Sequence, residues 1–226
     1  MEKIKIFIGY DKNEVVAYHT CVQSIIENSS IPVEFTPINL KHLKKFYNRP
    51  KKKVDSTEFS ISRFLVPSMS DFKGISLYVD CDFIFFADVA ELIKLYKKNP
   101  NKSVWCVKHN YKTSSKKKFL GNVQYSYYRK NWSSFILFNN AKCKMLKSRT
   151  VEKANGFYLH KFEWLKDSQI ASLPKSWNVL IGEQSIPKKP KAVHFTIGGP
   201  YFKQFKNTKM AKEWFNFYKK VKHPLK

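Results

Sequence analysis

The sequence predicts an α/β domain with a mostly parallel central sheet. Short apolar strands alternate with helical segments along the chain, as they do in parallel sheets with crossover helices. Acidic or imidazole side chains stand where three of these strands end, at Asp11, at Asp80 and Asp82, and at His194. Because such folds bind ligands at the carboxyl ends of their strands, we expect these three motifs to lie along one edge of the sheet.

Composition favours one folded domain over residues 1–226. The 226 residues are 43% hydrophobic and 16% aromatic, which excludes a disordered chain. No apolar run approaches the ~20 residues of a membrane-spanning helix, and the amino terminus enters a strand too soon for a signal peptide. The four scattered cysteines argue against a zinc cluster or disulfide framework and indicate a reducing cytoplasm.

The net charge of +25 is the most extreme feature of the composition. It suggests nucleic-acid binding, but the lysines are spread along the whole chain, and an AT-rich genome gives the same bias. Residues 41–53 carry seven Lys and Arg, and residues 97–118 carry eight Lys, in both cases without an acid. Solvated loops are the simpler interpretation, and an anionic acceptor or membrane surface is the functional one.

The first half of the chain supplies the central strand and the segments before it. Asp11 and Glu14 have the spacing of a capping box, so they are expected either to begin a helix or to present a carboxylate to a nucleotide. Arg63 is the single basic residue in an apolar helical segment, where it is either a surface residue or part of a phosphate site. The elements predicted here are strand Ile4–Ile8, helix 14–27, strand Pro32–Ile38, a basic loop at 41–53, helix 56–69 and strand Ile75–Val79.

Asp80 and Asp82 separate the central strand from the apolar run Phe83–Phe86. Ionised groups between two buried segments are costly unless something compensates them. Mg²⁺ or Mn²⁺ would do so through hard oxygen ligands and would also bind a substrate diphosphate. The alternative is a surface turn in which the aspartates cap the next helix.

The second half of the chain contributes His194. A lone histidine on an apolar strand is usually a core residue, but this one is followed by the turn 197–200, whose glycines let backbone approach a ligand. The elements predicted here are helix 89–96, strand 104–107, a lysine-rich loop at 110–122, strand 135–138, a brief helix at 139–146, a helical segment at 148–170, strand 192–196 and a C-terminal helix at about 207–222.

Together these motifs resemble the nucleotide-sugar glycosyltransferases of the GT-A fold, and among them the family-8 enzymes. The resemblance implies a single GT-A, Rossmann-like, nucleotide-diphospho-sugar transferase domain. The segments that carry it are Ile6–Asp11, Thr57–Phe64, Leu77–Asp82, Phe86–Leu92, Asn131–Asn139 and His194–Tyr201.

The resemblance also implies the site residues. Asp80, Asp82 and His194 would hold Mn²⁺ (or Mg²⁺), and the ion would hold the donor diphosphate. The family's Asp-Gln-Asp segment is matched only by 167–169, which gives Asp167 and Gln169 as the catalytic residues. The implied donor-binding residues are Gly9, Tyr10, Asp11, Arg63, Asp80, Ser133, Ser134, Gly198, Gly199 and, in place of the family's lysine in the final turn, Lys203.

The predicted activity is metal-dependent transfer of a sugar from a nucleotide-sugar donor, a UDP-sugar first, to a glycan or lipid-linked acceptor in cell-surface glycan synthesis. We expect a cytoplasmic protein with peripheral contact to the anionic inner face of the membrane. One alternative is a nucleotidyltransferase, although only Gly9 follows the first strand where those enzymes carry a glycine-rich loop. A nucleic-acid-binding protein is the other alternative, and it leaves the three predicted ligand residues without a role.

Overall fold

A computed structural model describes residues 2–50, 52, 55, 57–114, 117–121 and 123–221. The strands among these residues are β1 (Ile4–Gly9), β2 (Val33–Ile38), β3 (Ile75–Val79), β4 (Phe83–Phe85), β5 (Val104–Cys106), β6 (Phe135–Asn139), β7 (Ile170–Ser172), β8 (Val179–Leu180) and β9 (Ala192–His194). The α-helices are α1 (Val15–Asn28), α2 (Leu40–Leu43), α3 (Val66–Met69), α4 (Ala90–Lys98), α5 (Ser148–Lys153), α6 (Gly156–His160) and α7 (Ala211–Val221).

The main sheet has six strands in the order β2-β1-β3-β6-β5-β7. Only β6 runs antiparallel to the rest, so the sheet is mostly parallel, as predicted. The reversal places the start of β6 beside the end of β3, with Phe135 opposite Val79. Residues that follow β3 therefore meet residues that precede β6, about fifty positions further along the chain.

A second sheet of three strands, in the order β4-β9-β8, adjoins the end of β3. β9 pairs antiparallel with β4, and His194 lies opposite Phe83. Asp82 immediately precedes Phe83, and its carbonyl accepts a hydrogen bond from the Phe195 amide at 2.9 Å. This register brings the histidine to the aspartates.

The central strands of the main sheet, β3, β5 and β6, are buried almost throughout, whereas the edge strands β2 and β7 are partly exposed. All five residues of β6 are buried, which is the pattern of an interior strand rather than an alternating surface strand. α1 joins the two sheets: its Ser24 hydroxyl accepts from the Phe85 amide at 3.0 Å, and Asn28 donates to the Phe85 carbonyl at 3.1 Å. Trp214 of α7 is buried against the second sheet.

Several predicted elements have different boundaries in the structure. The helix predicted over 56–69 begins at Ser62 as a 3-10 turn that continues into α3, and Ser56 lies outside the described residues. The brief helix predicted at 139–146 is a 3-10 turn, Asn140–Lys142, and α7 begins at Ala211 rather than near 207. β7 and β8, three and two residues long, are too short for periodicity to predict.

The lysine-rich segments also contain more structure than a loop. The basic segment 41–53 begins inside α2, although residues 51 and 53 are not among those described. Within 110–122, a 3-10 turn spans Phe119–Gly121, and Lys117 forms an isolated β-bridge with Val123. No helix of the described residues has the length and apolar character to cross a bilayer.

The complete burial of β6 makes it a test of the fold. Leu137 is fully buried at the centre of this strand, so Leu137→Ala is expected to lower the free energy of unfolding by about 2–5 kcal/mol through lost contacts and a residual cavity. Urea unfolding followed by circular dichroism measures the change. Ile26→Ala, at a side chain that is 51% exposed, is the control and should change stability by less than about 1 kcal/mol.

Candidate active site

Three side chains predicted as metal ligands converge at the junction of the two sheets. Asp80 follows β3, Asp82 precedes β4, and His194 ends β9, so the pairing of β4 with β9 brings them together. One potential ligand atom from each side chain lies within 4.8 Å of the others. Two carboxylates and an imidazole form a donor set that suits Mn²⁺ and leaves positions free for other oxygen ligands.

Hydrogen bonds fix the orientation of the His194 ring. Its Nδ1 lies 3.2 Å from Asn178 Oδ1, while the Asn178 amide nitrogen donates to Ser134 Oγ at 3.0 Å. Since the amide oxygen can only accept, we assign the proton to Nδ1. When the ring is neutral in this tautomer, the lone pair of Nε2 faces Asp82, which is the arrangement in which a hydrogen-bonded neighbour prepares a histidine for a metal.

The Asp82 carboxylate supports the same interpretation. Its Oδ1 lies 3.2 Å from His194 Nε2, yet this buried oxygen accepts no hydrogen bond from the described residues. Burial favours the neutral form of Asp82. The positive charge that His194 carries when protonated, followed by that of Lys118, outweighs this effect and holds the pKa of Asp82 below its ordinary value. A buried carboxylate oxygen that faces a nitrogen lone pair is satisfied by a cation between them, so these residues fit a divalent ion.

Arg63 forms an ion pair with Asp80. Its guanidinium lies 2.8 Å from Asp80 Oδ1 and also donates to the backbone carbonyls of Ser60 and Ser133, each at 2.9 Å. Tyr78 donates to the same Asp80 oxygen at 2.6 Å. The isolated arginine of the sequence is therefore a buried residue that fixes the first aspartate, while it also lines the cavity described next.

A cavity of about 230 Å³ opens on the Asp80 side of the three ligands. Four of the predicted donor-binding residues line it, namely Arg63, Asp80, Ser133 and Ser134. Its wall also includes residues that the sequence analysis did not predict, among them Arg49, Lys118, Tyr125, Tyr127, Lys130 and His160.

The residues after β1 do not line this cavity. A Cβ on Gly9 would lie 2.5 Å from the Phe59 ring, so close packing alone requires glycine there. Asp11 accepts hydrogen bonds from the amides of Asn13 at 2.9 Å and Glu58 at 3.0 Å, which fixes the loop. The capping-box prediction is wrong, because the N-cap of α1 is Glu14 and no side chain caps the helix. Tyr10 packs edge-to-face on Tyr18 of α1.

Glu14 is a buried carboxyl beside the metal-ligand group. Its Oε1 accepts from the Tyr201 hydroxyl at 2.6 Å, and its Oε2 has no partner among the described residues. Burial is the main reason why the pKa of Glu14 lies well above its ordinary value, and the negative charge of Asp82 raises it further. Glu14 is therefore a proton-bearing acid that joins the start of α1 to the final turn.

The remaining predicted residues lie in different places. Gly198 and Gly199 are buried in the turn after β9, where a Cβ would meet the rings of Phe205 at 2.3 Å and Tyr201 at 2.1 Å. Lys203 is exposed and lines a separate surface depression at 203–208.

The structure does not bring Asp167 and Gln169 to the cavity. Both lie before β7, which runs parallel to β3, so they are at the opposite edge of the sheet from Asp80. Asp167 pairs with Arg129 and is exposed, whereas Gln169 closes a turn by accepting from the Lys166 amide. Residues 167–169 resemble Asp-Gln-Asp in sequence, but the sheet topology places them away from Asp80 and the cavity.

Lys118 shows why the lysine-rich segment matters to the site. The next residue, Phe119, donates its amide to the Ile197 carbonyl at 2.8 Å and stacks on Phe202, which holds this segment against the final turn. Burial lowers the pKa of Lys118, while the charges of Asp82 and Asp80 oppose the shift, so the ammonium lies near the aspartates. A run of lysines in a polar segment gave no sign that one member is directed inward.

No protein-family model matches the chain. A curated relative, "Protein CDI" of Arabidopsis thaliana, is 44% identical over 221 residues, which cover 94% of this chain and 85% of that protein.

Several solved structures that resemble this chain are glycosyltransferases. GlyE of Streptococcus pneumoniae TIGR4 superposes with a TM-score of 0.63 at 15% identity, over 99% of this chain and 65% of GlyE. The galactosyltransferase LgtC, solved with donor and acceptor sugar analogues, gives 0.59 at 9% identity, over 99% of this chain and 98% of LgtC. The bifunctional WbbM gives 0.57 at 14% identity, and the match spans about half (51%) of its chain. These likenesses confirm the predicted GT-A fold.

Glu14 predicts a specific dependence of stability on pH. Near pH 4 and below, both the folded and the unfolded chain carry its proton, so Glu14 costs nothing there. At higher pH the unfolded chain releases the proton while the folded chain keeps it, so the stability of the wild type falls as the pH rises towards the folded-state pKa. Glu14→Gln holds no such proton, and we expect its stability relative to wild type to increase from about pH 4 to 7.

Urea unfolding in EDTA across this pH range measures the effect. Glu163→Gln, at an exposed residue, is the matched control and should differ from wild type by a nearly constant amount. A flat difference for Glu14→Gln as well would show that the buried carboxyl gives up its proton in the folded state as readily as in the unfolded one.

Proposed function

The chain belongs to the family of Protein CDI from Arabidopsis thaliana, and from the site that its GT-A fold assembles we propose that it is a metal-dependent glycosyltransferase. Its donor is a nucleotide sugar, a UDP-sugar first, and its acceptor is a glycan or a lipid-linked saccharide of cell-surface glycan synthesis. The observation that carries the proposal is the convergence of Asp80, Asp82 and His194 within 4.8 Å beside a cavity that is large enough for a sugar.

The residues around the cavity have separable roles in this reaction. A bound Mn²⁺ or Mg²⁺ supplies Lewis-acid stabilisation of the charge that develops on the leaving nucleoside diphosphate. Asp80, Asp82 and Nε2 of His194 would hold the ion; Arg63 opposes the burial that raises the pKa of Asp80 and fixes this carboxylate in place. Lys118 lies near both aspartates and offers a second positive charge to the diphosphate.

The sugar then occupies the cavity on the Asp80 side. Ser133, Ser134 and Asn131 line this space, and we assign them to the orientation of the sugar. The half-buried His160 accepts or donates one hydrogen bond with Ser133 Oγ at 2.8 Å, and loss of solvation lowers its pKa well below the ordinary value, which favours the neutral ring. We further propose that the base and ribose are bound by Gly9, Tyr10 and Asp11, and the diphosphate by Gly198, Gly199 and Lys203. A cytoplasmic location with peripheral membrane contact belongs to the same proposal.

Asp82→Asn tests the metal-dependent site. The wild type should be stabilised against heat by UDP only when Mn²⁺ is present, by about 2.7 kcal/mol at a hundredfold excess over the dissociation constant. Asp82→Asn keeps the size of the side chain but removes the charge, so it should abolish this stabilisation and Mn²⁺-dependent hydrolysis of the sugar nucleotide. Differential scanning fluorimetry with UDP, GDP, ADP and CDP measures the first effect.

Asp71→Asn is the matched control, since Asp71 is exposed, has a φ of 50° that asparagine tolerates, and does not line the cavity. It should respond to UDP and Mn²⁺ as the wild type does. Equal stabilisation of Asp82→Asn and wild type would reject the proposed site.

Asn178→Leu tests how His194 is held. Loss of the amide oxygen removes the partner that fixes the proton on Nδ1, so the affinity for Mn²⁺ should fall about 10- to 100-fold. Isothermal titration calorimetry measures this directly. Asn178→Asp restores an acceptor at the same position and should recover much of the affinity; if both variants bind Mn²⁺ as the wild type does, Asn178 has only a packing role.

A further inference from the structure

The cavity beside the three ligands contains more positive charge than a nucleotide-sugar donor would use. Two acidic side chains, Asp55 and Asp80, line it, and Asp80 is already paired with Arg63. The basic side chains among the described lining residues number five: Arg49, Lys52, Arg63, Lys118 and Lys130.

A charge balance identifies the unused cations. A divalent ion and the about two negative charges of a donor diphosphate cancel each other. Asp80 and Asp82 are likewise cancelled by Arg63 and Lys118, which lie beside them. Asp55 can offset Lys52. Lys130 and Arg49 then remain without an ion-pair partner among the described residues.

Lys130 is the stronger of the two observations. It is 6% exposed, its Nζ donates to the Tyr125 carbonyl at 2.6 Å, and it lies over the Tyr127 ring. No carboxylate of the described residues forms an ion pair with it: Glu183 acts on it only at longer range, and the Glu183 oxygens accept from Gln124 and from the Ser114 amide. A buried ammonium group without a carboxylate in contact is costly, so its retention needs a reason.

The environment of Lys130 shows the same cost. Burial is the main reason that its pKa is lowered to about 7, and the positive charge of Lys118 lowers it further. An anion bound next to it would reverse both effects by favouring the charged ammonium.

Arg49 enters the cavity from another direction. Its Nη1 donates to the backbone carbonyls of Val151, Glu152 and Ala154, which position the guanidinium without neutralising it. Its Nε has no partner among the described residues. Besides loss of solvation, all four cations of this region lower the pKa of His160, and all four line the cavity together with it, so they converge on one part of the cavity: Arg63, Lys118, Lys130 and Arg49.

We propose that the sugar bound in this cavity carries a carboxylate or a phosphate, which Lys130 and Arg49 bind. The inference rests on the proposed glycosyl transfer and specifies the substrate class. An anionic sugar has two sources: the donor, as a nucleoside-diphosphate hexuronate, or the acceptor, as a phosphorylated or uronic-acid saccharide. In either case charge-assisted hydrogen bonds to the two cations distinguish it from a neutral hexose.

Calorimetric titration of the full chain with Mn²⁺ separates the two sources. The donor arm compares UDP-glucuronate with UDP-glucose, or the corresponding pair on whichever nucleoside diphosphate binds. The acceptor arm adds glucose 6-phosphate, glucuronate or glucose to the chain saturated with UDP. We expect the acidic sugar to bind at least about tenfold more tightly than its neutral counterpart in one arm, a difference of about 1.4 kcal/mol.

Lys130→Met should reduce that preference to less than about twofold and leave the affinity for UDP unchanged, since only the sugar contact is lost. Arg49→Gln is a second variant that should act in the same direction. Lys112→Met removes a charge from an exposed position in the segment that precedes Lys118, outside the cavity, and should keep the full preference. Thermal unfolding of each variant checks that it is folded.

Equal binding of acidic and neutral sugars by the wild type in both arms would overturn the inference, and so would a Lys130→Met variant that loses affinity for UDP itself. If UDP binds with Mn²⁺ but no acidic sugar is preferred, the proposed transferase stands and only this inference fails. If no nucleoside diphosphate binds, the proposed function fails and the inference falls with it.

Discussion

Ser134 holds the two sheets of this protein in the register that the site needs. Its carbonyl accepts from the Asp80 amide at 3.0 Å, while its hydroxyl accepts from Asn178, which in turn orients His194. One residue at the start of β6 thus couples the aspartate that follows β3 to the histidine that ends β9. Because all these groups are buried, a loss of any bond would leave an unsatisfied polar atom, so the network specifies one arrangement.

The same region concentrates charges that oppose folding. Besides burial, the charges of Asp82 and Asp80 raise the pKa of Glu14, and Asp82 raises that of Asp80. Burial lowers the pKa values of Lys118 and Lys130. A core of aliphatic residues would be more stable at this place. Such unfavourable groups cluster where a ligand will compensate them, which is why perturbed titratable groups indicate functional sites.

Much of the fold and the centre of the site were predictable from the sequence. Strand periodicity identified β1, β3 and β6, and the carboxylates that interrupt an apolar run identified Asp80 and Asp82. Asn178, Lys118 and Lys130 were not predictable, because each matters only through tertiary neighbours, and nothing local distinguishes them from surface polar residues. Asp167 and Gln169 were misplaced for a related reason: a short sequence likeness carries no information about which edge of a sheet it occupies.

The reversed strand β6 has a consequence for biosynthesis. Both aspartates leave the ribosome long before His194, and the order β2-β1-β3-β6-β5-β7 requires residues beyond 130 before β3 gains its second neighbour. A nascent chain that ends before β9 therefore contains Asp80 and Asp82 but not His194. Non-local pairing of this kind folds slowly, so the group of Asp80, Asp82 and His194 is completed only in the last stage of co-translational assembly.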